Sequence, residues 1–241
     1  MRVVSNDYRM GTIKTLLAGT AAALLVFVIS SCSKTGNASP TGLNIKYEIL
    51  NLSPDMLPVD LFIDNKQVNS SPYIFGVRQG YFYVPSTDVP YQIRSVEYSG
   101  TTYLTRSDVL ASGASYTLFI VGALADKSDT TIFTVDTAAA PTSGRGKIRF
   151  VDASPSATGG LDVLANDSTL FSGVKYQKIS SYIELPVGNY DLKIQPTGTA
   201  TVIKELTPVT IQDGRLYTLY TYGYTSRADT AAFNAAVITN K

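Results

Sequence analysis

The stretch Gly113-Ala-Ser-Tyr-Thr-Leu-Phe-Ile-Val-Gly122 recurs as Gly214-Arg-Leu-Tyr-Thr-Leu-Tyr-Thr-Tyr-Gly223, so that Gly113, Tyr116, Leu118 and Gly122 each have a match 101 positions later. A glycine turn, a Tyr-Thr-Leu strand and a glycine stop, present twice, restrict the chain to architectures that can be built twice over. Other landmarks keep the same spacing. Ile45, Tyr47 and Ile49 alternate with Asn44, Lys46 and Glu48, and Ile148 and Phe150 alternate with Lys147 and Arg149. Period two with apolar residues on one side predicts a half-buried strand. Each such strand runs into Ser-Pro, at Ser53-Pro54 and Ser154-Pro155, where proline withdraws a ladder donor.

Val59-Asp-Leu-Phe-Ile-Asp64 and Leu161-Asp-Val-Leu-Ala-Asn166 follow, and each ends on Asp and Asn residues that tolerate left-handed backbone. Gly80–Pro85 matches Ser181–Pro186, and Tyr91–Val96 matches Tyr190–Gln195. Two copies are too few for a solenoid. The pattern therefore predicts two tandem domains, 43–136 and 146–241. The linker 137–145 consists mostly of small residues around Pro141 and has no periodicity. Many short strands with frequent turns predict an all-β chain of two tandem Ig-like antiparallel β-sandwiches. A closed barrel or a transthyretin-like sandwich satisfies the same pattern. In Ig-type sandwiches a tyrosine near the start of one strand bonds back to the backbone of the preceding corner. Tyr116 and Tyr217, each shortly after a glycine, suit that structural role.

Absences narrow the chemistry. The 241 residues contain no His, no Trp and one Cys. A His- or Cys-ligated zinc site, a Ser-His-Asp or Cys-His mechanism and an internal disulfide are all excluded within a single chain. No catalytic residue, metal site or cofactor is expected. The formal net charge of +1 gives no general attraction to nucleic acid.

Residues 1–14 carry Arg2, Arg9 and Lys14 against Asp7, and an apolar run follows from Leu16 to Ile29. A basic start, a short apolar core and small residues mark a secretory leader. Ile29-Ser30-Ser31-Cys32 resembles a bacterial lipoprotein lipobox. That resemblance implies a signal peptide over 1–31, cleavage before Cys32, acylation of Cys32 and attachment to the membrane through that lipid. Residues 32–42 are small and polar and suit a flexible tether. The expected address is the cell envelope, at the outer membrane, facing the periplasm or the cell surface. No acidic residue follows Cys32 before Glu48, which favours the periplasmic side.

Two further groups are candidates. Asp60 and Asp162 hold equivalent positions and could serve as sugar or calcium ligands, or simply as strand carboxylates bonded to a turn. Tyr220, Tyr222 and Tyr224 alternate along one strand and form a possible ligand or partner face; the matching positions in the first copy are Phe119 and Val121. The strip either binds polysaccharide or an envelope protein, or is covered by the neighbouring domain.

A strand into Ser-Pro, then Val-Asp-Leu-Phe-Ile-Asp, Leu-Pro-x-Gly-x-Tyr and Gly-x-x-Tyr-Thr-Leu resembles the DUF4397 family, a bacterial domain of unknown function. Ser154-Pro155, Asp162, Leu185-Pro186, Gly188, Tyr190, Gly214 and Tyr217-Thr218 carry the match. The first copy lacks the glycine of Leu-Pro-x-Gly. The resemblance implies tandem Ig-like, lipid-anchored domains and transfers no catalytic residue. The expected function is thus a non-enzymatic, lipid-anchored envelope protein for adhesion, scaffolding or binding. A polysaccharide-binding accessory protein is the alternative, and a hydrolase is a more remote one.

Overall fold

Local turn chemistry sets the strand boundaries. In the computed structural model, which describes residues 43–85, 90–156 and 159–240, Asp64 and Asn65 have φ of 48° and 58°, and Asn166 and Asp167 have φ of 47° and 65°. Each pair forms a two-residue hairpin loop of the kind that requires positive φ at both central positions. The leader, the tether and Cys32 lie outside the described residues, as does the 86–89 stretch of the first copy's Leu-Pro-x-Gly equivalent.

The first copy comprises β1 (Leu43–Asn51), β2 (Val59–Ile63), β3 (Lys66–Gln67), β4 (Phe82–Pro85), β5 (Tyr91–Ser95), β6 (Thr102–Arg106), β7 (Ser115–Val121) and β8 (Thr130–Val135). The second comprises β9 (Arg145–Asp152), β10 (Leu161–Ala165), β11 (Ser168–Val174), β12 (Ile183–Pro186), β13 (Gly188–Pro196), β14 (Lys204–Ile211), β15 (Leu216–Tyr222) and β16 (Asn234–Thr239). The sheet orders are β4-β1-β7-β8 and β3-β2-β5-β6 in the first copy, and β12-β9-β15-β16 and β11-β10-β13-β14 in the second. The duplication read from the glycine landmarks is thus a duplication of topology, and each copy is a two-sheet sandwich.

The sheets are not wholly antiparallel. β1 pairs with β7, and β9 with β15, in parallel. After each Ser-Pro the chain crosses to the opposite sheet and returns only at β4 or β12. β7 therefore comes back to β1 running in the same direction, with five strands between them.

Inside each sandwich the two sheets face each other across an apolar core. Tyr47, Ile49, Leu61, Tyr91, Ile93 and Leu118 belong to the first core. Phe150, Val163, Phe171, Ile194 and Leu219 belong to the second, where Phe150 and Phe171 stack at 6.1 Å. The glycines that close β7 and β15 are sterically obligatory. Gly122 has φ +84°, and a Cβ there would stand 2.2 Å from the Ser128 carbonyl oxygen; Gly223 has φ +73° and a Cβ would stand 2.4 Å from that of Ala232.

Candidate functional site

The two sandwiches meet through the faces of β1-β7-β8 and β9-β15-β16 that point away from their own cores. The residues facing this way are Glu48 and Leu50 on β1 with Leu52 just after it, and Arg149 and Val151 on β9 with Ala153 just after it. Leu50, Leu52, Phe119, Val121, Ile132, Val151, Ala153, Tyr220 and Ile238 form one buried cluster, with Tyr81, Tyr176 and Tyr222 packed against it. Phe119 and Tyr220 occupy equivalent positions in the two copies and touch each other, their ring centroids 5.5 Å apart. β7 and β15 are consequently buried on both faces, which accounts for their nearly unbroken apolar sequence.

A polar network borders this cluster. Arg149, 4% exposed, and Asp136, 1% exposed, form an ion pair between the copies. Arg149 also donates through Nε to Thr218 Oγ1 at 2.9 Å and through Nη1 to the Val135 carbonyl at 2.8 Å. Its guanidinium lies 4.9 Å from the Tyr182 ring centroid. The Asp136 carboxylate accepts from Tyr81 Oη at 2.7 Å, Thr117 Oγ1 at 2.6 Å and Thr134 Oγ1 at 2.8 Å. Asn240, the counterpart of Asp136, donates to Tyr81 Oη at 2.8 Å and accepts from Thr218 Oγ1 at 2.8 Å. Burial, followed by the Asp136 charge, pushes the Tyr81 phenol well above its ordinary value, which keeps it a proton donor. Both charges are therefore paired and hydrogen-bonded, the condition under which burying them is tolerable. Glu48, also buried, is held by Arg78 at 2.6 Å.

This arrangement corrects one expectation and, for the tyrosine strip, agrees with the reading in which the neighbouring domain covers it. The Lys46/Glu48 and Lys147/Arg149 sides of β1 and β9 were expected to face solvent, yet Glu48 and Arg149 are buried against the other copy. Tyr220, Tyr222 and Tyr224 do not form an exposed strip. Tyr220 is 3% exposed, and Tyr222 packs on Phe75 of the first copy with centroids 6.0 Å apart. The strand stops at Tyr222, and the left-handed Gly223 takes Tyr224 off the shared face. Tyr224 instead borders a cleft of about 200 Å³ with Pro54, Asp55, Ala123, Ala125 and Arg227. A second cleft of about 230 Å³, between residues such as Lys46, Ser115, Leu216 and Asn240, lies at the opposite end of the interface. The two copies are therefore aligned, with β1 and β9 both starting at the end where residue 43 enters.

The remaining candidates have structural partners. Ala111 N–H donates to Tyr116 Oη at 2.8 Å and Gln212 N–H to Tyr217 Oη at 3.0 Å, so each tyrosine ties down the corner five residues before it. Asp162 Oδ1 accepts from Gly173 N–H at 2.7 Å, Ser172 Oγ at 2.9 Å and Thr197 Oγ1 at 3.0 Å. Burial raises its carboxyl, but these donors outweigh burial and hold it below its ordinary value. Asp60 Oδ1 accepts from Asn69 Nδ2 at 2.7 Å. Asp55, whose second-copy counterpart is Ser156, accepts from the N–H groups of Leu124 and Ala125, both at 2.9 Å; Ser156 Oγ accepts from Thr225 N–H at 3.0 Å. The mismatch of residue types there hides a shared loop clamp. Among the described residues no group of three or more His, Cys, Asp or Glu is placed to hold a metal ion.

Sequence reasoning missed Tyr81, Asp136, Arg149, Thr218 and Asn240. A usable signal existed. On the nominally polar side of β1, Glu48 is followed by Leu50 and Leu52, and Arg149 on β9 by Val151 and Ala153.

No curated protein matches the chain. Among solved structures, a leucine-rich repeat protein from Bacteroides thetaiotaomicron VPI-5482 is similar over 72% of this chain and 25% of that one, at 15% identity and a TM-score of 0.19. The chain spans about a quarter of that protein's length, and a likeness this low carries no argument. The family model described as "Domain of unknown function (DUF4397)" matches residues 46–159 and again 156–241. With two tandem matches covering most of its length, the chain belongs to the DUF4397 family.

Proposed function

We propose that this protein is a non-enzymatic, lipid-anchored component of the cell envelope, in which two sandwiches fused into one body serve as a scaffold or binding platform. The observation that carries the reading is the interface itself. Three positions where the copies differ, Phe119 against Tyr220, Val121 against Tyr222 and Glu48 against Arg149, lie in or beside the face between them. The candidate carboxylates Asp60 and Asp162 are engaged by turn donors, which supports a structural role rather than a hydrolytic one. The tyrosine strip is not retained as a polysaccharide platform, because Tyr220 is covered.

Anchoring rests on Cys32, with acyl chains providing the stable attachment that one chain alone does not. The test is fractionation of cells producing the full chain or Cys32→Ser. The wild type is expected in the membrane fraction and the variant in the soluble fraction. Surface protease on intact cells is expected to leave the protein whole if it faces the periplasm. Membrane retention of Cys32→Ser would contradict the lipid anchor.

A further inference from the structure

We propose that the outer sheet of the first sandwich carries a binding site for a carboxylate-bearing saccharide, centred on Arg94 and Phe62. The site stands on this sheet's own geometry and requires neither the anchor nor its sidedness.

Arg94 lies directly across the β2–β5 ladder from Asp60. A cross-strand Asp-Arg pair at that spacing would normally form an ion pair. It does not: among the described residues Arg94 has no carboxylate partner within 4.0 Å. Its guanidinium lies over the Phe62 ring, 4.3 Å from the centroid. It is held there by neutral acceptors only, Gln92 Oε1 at 2.9 Å from Nε and Asn65 Oδ1 at 2.5 Å from Nη2. Gln92 Oε1 accepts from both Nε and Nη2, and Asn65 Oδ1 from Nη2. Among the described residues Nη1 has no acceptor, and a guanidinium fixed on an aromatic face with that end free is suited to an anion, bound through a charge-assisted hydrogen bond.

The surroundings determine what carries that anion. Asp60, Phe62, Arg94, Ser95 and Ser99 line an open hollow of about 420 Å³. Asp60 spends Oδ1 on Asn69, and among the described residues Oδ2 has no hydrogen-bond donor. Asp60 is thus an acceptor, with Ser99 as an additional hydroxyl, beside a cation and a ring. Hydroxyl groups suit the acceptor, and a carboxylate suits Arg94. A ligand presenting both is an acidic sugar, whereas an apolar or purely cationic ligand would leave the arginine unmatched. The size of the hollow fits a saccharide unit.

The second copy provides an internal control. Asp162 is consumed by its hairpin, Leu164 replaces Phe62, and Gln195 stands across from Asp162 where Arg94 stands across from Asp60. The site therefore belongs to the first copy alone. It lies at the end of the sandwich remote from residue 43, since Val59 and Ser95 pair at that end of the ladder.

The test measures binding of polygalacturonate and of a neutral galactan to the full chain in detergent, by affinity electrophoresis and titration calorimetry. The variants are Arg94→Gln and Phe62→Leu, each introducing the residue that the second copy already accommodates, with thermal unfolding as the check on folding. Expected are binding of polygalacturonate in preference to galactan, at least tenfold weaker binding by Arg94→Gln, and a smaller loss for Phe62→Leu. Equal binding of both polymers, no binding of either, or unchanged binding by a folded Arg94→Gln would overturn the proposal. None of these outcomes touches the Cys32 fractionation result, so failure of one reading is distinguishable from failure of the other.

Discussion

At the scale of single residues, Asp152 is the group most at odds with its surroundings. Its counterpart Asn51 accepts from Ser53 N–H at 3.1 Å and directs its amide toward the carbonyls of Met56 and Tyr73. Asp152 accepts from Ser154 N–H at 3.0 Å and Thr221 Oγ1 at 2.8 Å, while its fully buried Oδ2 has no partner. Burial pushes its carboxyl up to about 7, against the smaller opposing pull of Thr221 and Ser154. An unfolded aspartate titrates near ~3.9, so the folded chain holds the proton more tightly than the unfolded one. The resulting stabilisation is fully present below about pH 4, declines as pH rises, and is gone above about pH 7, a difference of a few kcal/mol. Asp152→Asn is expected to flatten that decline and to be the more stable protein at pH 8. Denaturant unfolding at pH 4, 6 and 8 measures it, and equal slopes for the two proteins would refute it.

Elements show what was legible in the sequence and what was not. The turns after β2 and β10 could be read directly, because Asp64-Asn65 and Asn166-Asp167 carry their own backbone preference. The corner tyrosines were legible for the same reason: Tyr116 and Tyr217 reach only five residues back. The outer faces of β1 and β9 were not. Alternation reports which side is more apolar, and Glu48 and Arg149 made one side look wet. What buries Arg149 is the edge of the other copy, at Val135 and Asp136, and the one local trace of that encounter is the apolar pair that follows each charge, Leu50 and Leu52 or Val151 and Ala153. The hollow at Arg94 was missed because it depends on the β2–β5 register. The interface makes a prediction at this scale. Arg149→Ala leaves Asp136 buried without its cation and is expected to cost about 3 kcal/mol. The double variant Arg149→Met with Asp136→Leu removes both charges and is expected to recover most of that loss, as read by denaturant midpoints. A double variant as unstable as the single one would mean that packing, not charge pairing, holds this edge.

On the scale of the whole molecule, the described chain is four sheets deep. Each outer sheet covers one core, and the two inner sheets share a third apolar cluster between them. The described residues accordingly form one compact unit rather than two beads on a linker. Because β1 runs parallel to β7 and β9 to β15, and Lys46, Ser115, Leu216 and Asn240 line one cleft, residue 43 and the loops after Ser53-Pro54 and Ser154-Pro155 lie at opposite ends of that unit. The shared cluster holds the two sandwiches in a fixed mutual orientation. Backbone residual dipolar couplings in a weakly aligned medium test that directly. A single alignment tensor fitting 43–136 and 145–240 together is predicted; separate tensors of different magnitude for the two segments would contradict it.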